Sequence, residues 1–211
     1  MIIVFDLDGT LINSEQRHKI LLEKILKDND IKYGNELDKY LDYKRNGNGN
    51  LKFLQEILGL DKELSYAIQQ EWVKNIERKE YLEEDSLYQE VITILEKIYK
   101  QNKIYYLTAR ANEENLFNQI EKLKIKKYAE KIFVVNPSRA MEEKRNILAA
   151  IDSNNKILLI GDTEVEWEAG KNLLNVDTKI LNRGFRNKEF FETRKVKTYE
   201  NLFEILKEQE K

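Results

Sequence analysis

Residues 1–5, Met1-Ile2-Ile3-Val4-Phe5, are apolar without interruption, and the run stops at Asp6-Leu7-Asp8-Gly9-Thr10. Apolar residues at successive rather than alternate positions predict a parallel strand buried on both faces. The period then becomes helical. Ile20, Leu21, Ile25 and Leu26 recur at three- and four-residue spacing behind Ser14, a predicted N-cap. Helical spacing returns around Leu37, Tyr40 and Leu41, again over 51–58, and over 64–81, where Ala67, Ile68, Trp72 and Ile76 share a stripe. The polar run 44–50, rich in Asn and Gly, breaks this block. No strand is predicted between Leu11 and Leu87.

Beyond Leu87 the two periods alternate. Val91, Ile94, Leu95 and Ile98 form a helix face, and 103–107 reads as a strand ending in Thr108-Ala109-Arg110. A helix carrying Leu116, Ile120 and Leu123 leads to a strand over 132–135, stopped by Asn136-Pro137. A helix over 142–151, a strand over 156–160 ending in Gly161-Asp162, a strand near 178–181 and a closing helix over 199–206 complete the pattern. This order predicts an α/β fold, a doubly wound parallel sheet of about five strands, with an all-α block inserted after the first. The expected division is 1–13 with 86–211 as the α/β core and 14–85 as the insert.

Composition narrows the chemistry. The 211 residues carry 36 basic and 38 acidic side chains, a net charge of −2, so no global basic bias points to nucleic acid. No basic block points to lipid, and no apolar stretch approaches a membrane span. Cysteine is absent and there is one histidine, so any metal is expected to be held by oxygen. The apolar run at the N-terminus is too short for a signal peptide and lacks a basic leader, which sets a cytoplasmic expectation.

Ligands of open α/β sheets bind beyond the carboxyl ends of the strands. There the chain sets Asp6, Asp8, Thr108 and Asp162, each after an apolar strand, with Lys144 near the start of the helix before the fourth strand. Phosphoryl transfer to a carboxylate needs this set: a nucleophilic Asp, an Asp that exchanges protons, and a hydroxyl and an ammonium that stabilise charge on the transferred group. An oxygen-ligated Mg²⁺ suits the same site, because it masks repulsion between the anionic nucleophile and the phosphate.

With these residues in place the chain resembles the haloacid dehalogenase superfamily of phosphohydrolases over most of its length. The DxDx[TV] motif matches 6–10, the Thr or Ser of the second motif matches Thr108, the Lys of the third matches Lys144, and the GDxxxD-like fourth matches 161–166. The resemblance implies Asp6 as nucleophile and metal ligand, Asp8 as general acid/base with its carbonyl on the metal, and Thr108 and Lys144 on the phosphoryl oxygens. It also implies Asp162 on Mg²⁺, with Glu166, where Asp is commoner, binding directly or through water. Lys144 is followed by Arg145 where many relatives have Pro, and Arg139 is the rival cation.

In such relatives the residue two after the nucleophile separates chemistries, since dehalogenating and phosphonate-cleaving members lack the second acid. Asp8 therefore implies cleavage of a P–O bond, and the 14–85 block stands where the family carries a helical cap. The expectation is a Mg²⁺-dependent phosphatase of a small phosphorylated metabolite working through an aspartyl phosphate, monomeric or weakly dimeric. Alternatives are a β-phosphoglucomutase-like phosphomutase and a non-catalytic phosphate-binding protein. For substrate contacts, Lys44, Arg45 and Asn46 in the polar run read either as ligands or as a turn. Arg110 reads as an anion clamp or a surface pair with Glu113 or Glu114. His18 either positions Asp8 or lies on a helix surface, and Arg183-Gly184-Phe185-Arg186 either borders the site or turns the chain.

Overall fold

A computed structural model describes residues 1–151 and 155–209. Its strands, in chain order, are β1 (Ile2–Phe5), β2 (Ile12–Asn13), β3 (Ser86–Leu87), β4 (Lys103–Ala109), β5 (Lys131–Val135), β6 (Ile157–Gly161), β7 (Val176–Leu181) and β8 (Thr198–Tyr199). Six of them form one parallel sheet in the order β5-β4-β1-β6-β7-β8. The first strand is therefore central, and the chain builds outward from it on one side and then the other. That arrangement creates a switch point beside β1.

The apolar runs are explained by burial on two faces. Ile3, Phe5, Ile104, Tyr106, Leu158 and Ile160 pack with Val91, Ile94, Leu116, Ile120, Leu202 and Ile205 on one side. Ile2, Val4, Tyr105, Leu107, Ile157 and Leu159 pack with Leu148 and Ala169 on the other. Each such side chain contributes about 1.5–3 kcal/mol by leaving water, which is why neither face of the central strands tolerates a polar residue before the strand ends. The register pairs Phe5 with both Tyr106 and Ile160, so the polar residues after these three strands emerge along one edge.

Residues 15–82 form a helical insert with its own core of Leu21, Leu22, Ile25, Leu26, Tyr40, Phe53, Leu54 and Ile68. Its helices include Glu15–Asp28, Tyr40–Arg45, Asn50–Glu56 and Lys62–Asn75. Helices this short are marginal alone in water, so their common core holds them. No helix among the described residues is long and apolar enough to cross a membrane.

Four local expectations differ from the structure. The insert is entered and left through an antiparallel ribbon of β2 and β3, which was not predicted, because two-residue strands carry no readable period. The stripe over 64–81 is two helices, Lys62–Asn75 and Lys79–Leu82, because the backbone becomes extended at Arg78; between them the Glu77 carboxylate accepts from the backbone N–H groups of Ala111 and Asn112 at 2.9 and 2.7 Å. The closing helix begins only at Leu202, since Thr198 and Tyr199 add a sixth strand against β7. Ser14 stands at the start of its helix, but its hydroxyl makes no capping hydrogen bond; Asn13 Oδ1 accepts from Glu15 N at 3.1 Å instead.

Candidate functional site

A cavity of about 320 Å³ opens at the carboxyl ends of β1, β4 and β6. Asp6, Asp8, Thr108, Lys144, Asp162 and Glu166 line it from the sheet side, and Arg17, His18 and Trp72 line it from the insert. The turn after β1 fits closely against Asp162. Gly9 has φ +75°, and a Cβ there would fall 2.1 Å from Asp162 Oδ2. Only glycine meets both conditions. Thr10 Oγ1 then donates to Asp162 Oδ1 at 3.3 Å, and the backbone N–H of Phe185 donates to Oδ2 at 3.2 Å.

Lys144 lies on the helix Ala140–Ala150 and is 2% exposed. Its ammonium donates to Asp6 Oδ1 at 2.6 Å and to Glu166 Oε1 at 2.5 Å. Arg139, the rival cation, is instead a surface partner of Glu143 at 2.8 Å. Burial, with Glu166 and Asp8 close by, pushes the Asp6 carboxyl up to about 7 against the pull of Lys144. Asp162 is likewise raised, by burial first and then by Glu166 and Asp6. Glu166 is buried too, but Lys144 and the Thr163 hydroxyl, 2.7 Å from its Oε2, hold it below the usual range. The second carboxylate of the GDxxxD-like motif thus faces Lys144 and its own helix N-terminus, where it completes a capping box with Thr163.

Asp8 is held by two arginines. Arg110 Nε donates to its Oδ2 at 2.6 Å, Arg110 Nη2 to its Oδ1 at 2.9 Å, and Arg17 Nη2 also to Oδ1. Burial opposes the charge on Asp8, yet these two guanidiniums hold its carboxyl at about 2. Arg110 does not pair with Glu113 or Glu114; its second acceptor is Gln119 Oε1 at 3.0 Å. Gln119 in turn donates to Asp85 Oδ2 at 2.6 Å. Sequence reasoning missed Arg17, Asp85 and Gln119. A readable signal existed for Arg17, which occupies the buried stripe of its helix four residues before Leu21, where a charged side chain is out of place unless paired.

His18 faces the cavity, with its ring 5.0 Å from Trp72 and 4.3 Å from Phe185. Its Nδ1 lies 2.8 Å from Lys44 Nζ. Lys44 is buried beside this ring, above Phe185 and Trp72, and its other hydrogen-bonding neighbour is Asn50 Oδ1 at 3.4 Å. With no carboxylate beside it, burial and then Arg186 and Arg17 lower its ammonium to about 7. Burial, Lys44 and the arginines also hold the His18 imidazole well below its ordinary value, so it is neutral. Arg45 and Asn46 do not reach the cavity. Arg45 Nε donates to Gly184 O at 3.4 Å, and Asn46 Oδ1 accepts from Asn187 Nδ2 at 2.6 Å, so they fasten the insert to the loop after β7. Phe185, on that loop, does line the cavity.

The donor set suits a hard divalent cation. Asp6, Asp162 and Glu166 are three buried carboxylates around one ammonium, leaving negative charge that Lys144 alone does not balance. No three acidic or histidine side chains among the described residues form a closed metal cage. Mg²⁺ does not require one, since it typically takes one or two carboxylates, a carbonyl, water and substrate phosphate. Asp6, Asp162 and the Asp8 carbonyl are the residues that could hold it.

Comparison with known proteins agrees with this architecture. A family model described as haloacid dehalogenase-like hydrolase matches residues 3–181. Among solved structures, a haloacid dehalogenase-like family hydrolase from Streptococcus pneumoniae superposes with a TM-score of 0.74 at 15% identity, covering 97% of this chain and 96% of that one. A protein described as a predicted phosphoglycolate phosphatase from Haemophilus somnus gives 0.68 at 17% identity, over 99% and 97% of the two chains. A Bacillus subtilis HAD-hydrolase described as bound to magnesium gives 0.55 at 14% identity, over 86% of each. At these identities the likeness establishes the fold. A search of curated protein sequences finds no match.

Proposed function

The chain belongs to the haloacid dehalogenase-like hydrolases, and on that premise we propose that it is a Mg²⁺-dependent phosphatase of small phosphorylated metabolites that works through an aspartyl phosphate. The observation that carries this reading is the pair Asp6 and Asp8 on the sheet side of the cavity, with Asp6 hydrogen-bonded to Lys144 and Asp162 on the same side. Solved structures described as phosphatases share the fold and support the same reading.

In this mechanism an Asp6 carboxylate oxygen attacks phosphorus, and the bond from phosphorus to the leaving oxygen breaks. Asp8, once it has left the arginines that hold it ionised and has taken up a proton from solvent, gives that proton to the leaving oxygen as it departs as an alcohol. Asp8, now a carboxylate, takes a proton from a water molecule whose oxygen attacks the phosphorus of the aspartyl phosphate. The bond from phosphorus to Asp6 breaks, inorganic phosphate leaves, and both acids return to their starting state. Lys144 keeps Asp6 oriented and, with the Thr108 hydroxyl, stabilises charge on the phosphoryl oxygens. Asp6, Asp162 and the Asp8 carbonyl would hold Mg²⁺, which would supply charge that lowers the repulsion between nucleophile and phosphate. The insert excludes water from above.

The test is release of phosphate from 4-nitrophenyl phosphate with and without Mg²⁺. Turnover that needs the metal and disappears in Asp6→Asn is expected. Activity surviving Asp6→Asn rules out this nucleophile, and conversion of sugar phosphates without phosphate release replaces hydrolysis by mutase chemistry.

A further inference from the structure

Under the phosphatase reading Asp8 must meet a leaving-group oxygen, but in the structure its carboxylate is turned onto Arg17 and Arg110. The grip is specific in shape. Arg110 engages both oxygens with the two sides of its planar fork, at 2.6 and 2.9 Å, and Arg17 adds a third contact. Both guanidiniums line the cavity and are almost wholly buried, at 2% and 4% exposure.

Hydrogen-bond donors here outnumber their acceptors. Beyond Asp8, Arg110 has Gln119 at 3.0 Å, and Arg17 has Asp85, whose Oδ1 lies 3.4 Å from its Nε. Arg17 Nη1 and Arg110 Nη1 have no hydrogen-bond partner. Glu77 also borders the cavity, but its carboxylate is committed to the backbone of Ala111 and Asn112. Buried N–H groups left without acceptors cost stability, and a carboxylate that supplies those acceptors relieves the cost.

Building on the phosphatase reading, we propose that Arg17 and Arg110 are a seat for a carboxylate carried by the substrate, which exchanges with Asp8 and frees Asp8 to turn to the leaving-group oxygen. The seat is matched to a carboxylate because it already holds one in bidentate geometry. At roughly 30 Å³ per water-sized group, the cavity of about 320 Å³ admits a phosphoryl group and a short carbon chain. The substrate class is therefore a small phosphorylated hydroxy acid. Because Arg110 follows β4 and Arg17 belongs to the first helix of the insert, the substrate's carboxylate also ties the insert to the sheet during turnover. A substrate without it leaves Asp8 on the arginines, away from the bond to be cleaved.

The experiment compares 3-phosphooxypropanoate with its neutral amide, 3-phosphooxypropanamide, using 4-nitrophenyl phosphate as a reference ester. The acid is expected to exceed the amide in kcat/KM by roughly ten- to a hundredfold, the range of a charge-assisted hydrogen-bond pair. Arg17→Lys and Arg110→Lys keep the charge but lose the fork, and each is expected to bring that ratio toward one. Equal kcat/KM for acid and amide in the unmodified protein overturns the seat, as does an unchanged ratio in both variants. Phosphate release from 4-nitrophenyl phosphate with no acid preference removes the seat alone. Failure to hydrolyse all three esters removes the phosphatase reading and the seat with it.

Discussion

The ring of Phe185 lies 4.3 Å from the imidazole of His18, while its backbone N–H donates to Asp162 at 3.2 Å. One residue thus touches the insert with its side chain and a predicted metal ligand with its main chain. Phe185→Ala removes the ring contacts to His18 and Lys44, worth about 1–2 kcal/mol together. KM for a phosphate ester is expected to rise about tenfold, with the melting temperature a few degrees lower. Steady-state kinetics and a thermal melt on the same preparation check both.

Lys144 is the sole cation hydrogen-bonded to Asp6 and Glu166 among the described residues. Lys144→Met leaves two buried carboxylates facing each other, a loss of about 3–5 kcal/mol of stability together with turnover. Adding Glu166→Gln to this variant is expected to restore part of the stability and none of the activity, as measured by urea unfolding and phosphate release.

Lys44 links stability to pH. Its ammonium falls from 10.5 unfolded to about 7 folded, so between these values the unfolded chain holds a proton that the folded chain has released. Stability therefore rises with pH across this window, and the contribution is lost as pH falls toward 7. Lys44→Met is expected to flatten the rise and to be more stable than the parent at pH 6 by about 1 kcal/mol or more. Urea unfolding at pH 6, 8 and 10 reads the slope.

Binding of Mg²⁺ can be read without catalysis. At one hundred times the dissociation constant a ligand stabilises by about 2.7 kcal/mol, which for a chain of this size is a rise of roughly 5–10 °C in melting temperature. Asp162→Asn is expected to remove that rise. A melt indifferent to Mg²⁺ in the parent protein means that these carboxylates do not hold it.

Much of the fold was legible because burial on both faces imposes long apolar runs, and the polar residues that end them stand out. Asp6, Asp8, Thr108 and Asp162 were found in this way, and Lys144 by its place before the strand ending at Gly161; all five meet at one cavity. The two-residue strands β2, β3 and β8 were not legible, since pairing with a distant partner rather than local preference makes them. The polar run 44–50 was ambiguous for a related reason. Its Asn and Gly suit either ligand contact or a turn, and the loop 183–187 packing against it decided for a docking turn with Lys44 buried beneath.

By itself, then, the sequence determined five of the sheet's strands and the kinds of group gathered at their carboxyl ends, because hydrophobic burial acts on each segment through its own period. Only the tertiary structure decided which charges neutralise which. That Asp8 rests on Arg17 and Arg110, that Glu166 turns to Lys144, and that Lys44 has no acid beside it are outcomes of elements meeting in space: Asp8 with Arg110 across 102 residues of chain, Glu166 with Lys144 from one core helix to another, and Asp8 with Arg17 and Lys44 with the loop after β7 across the seam between insert and sheet. Local periodicity places each side chain on a face, and the electrostatics of a buried group depend on what the opposing face brings.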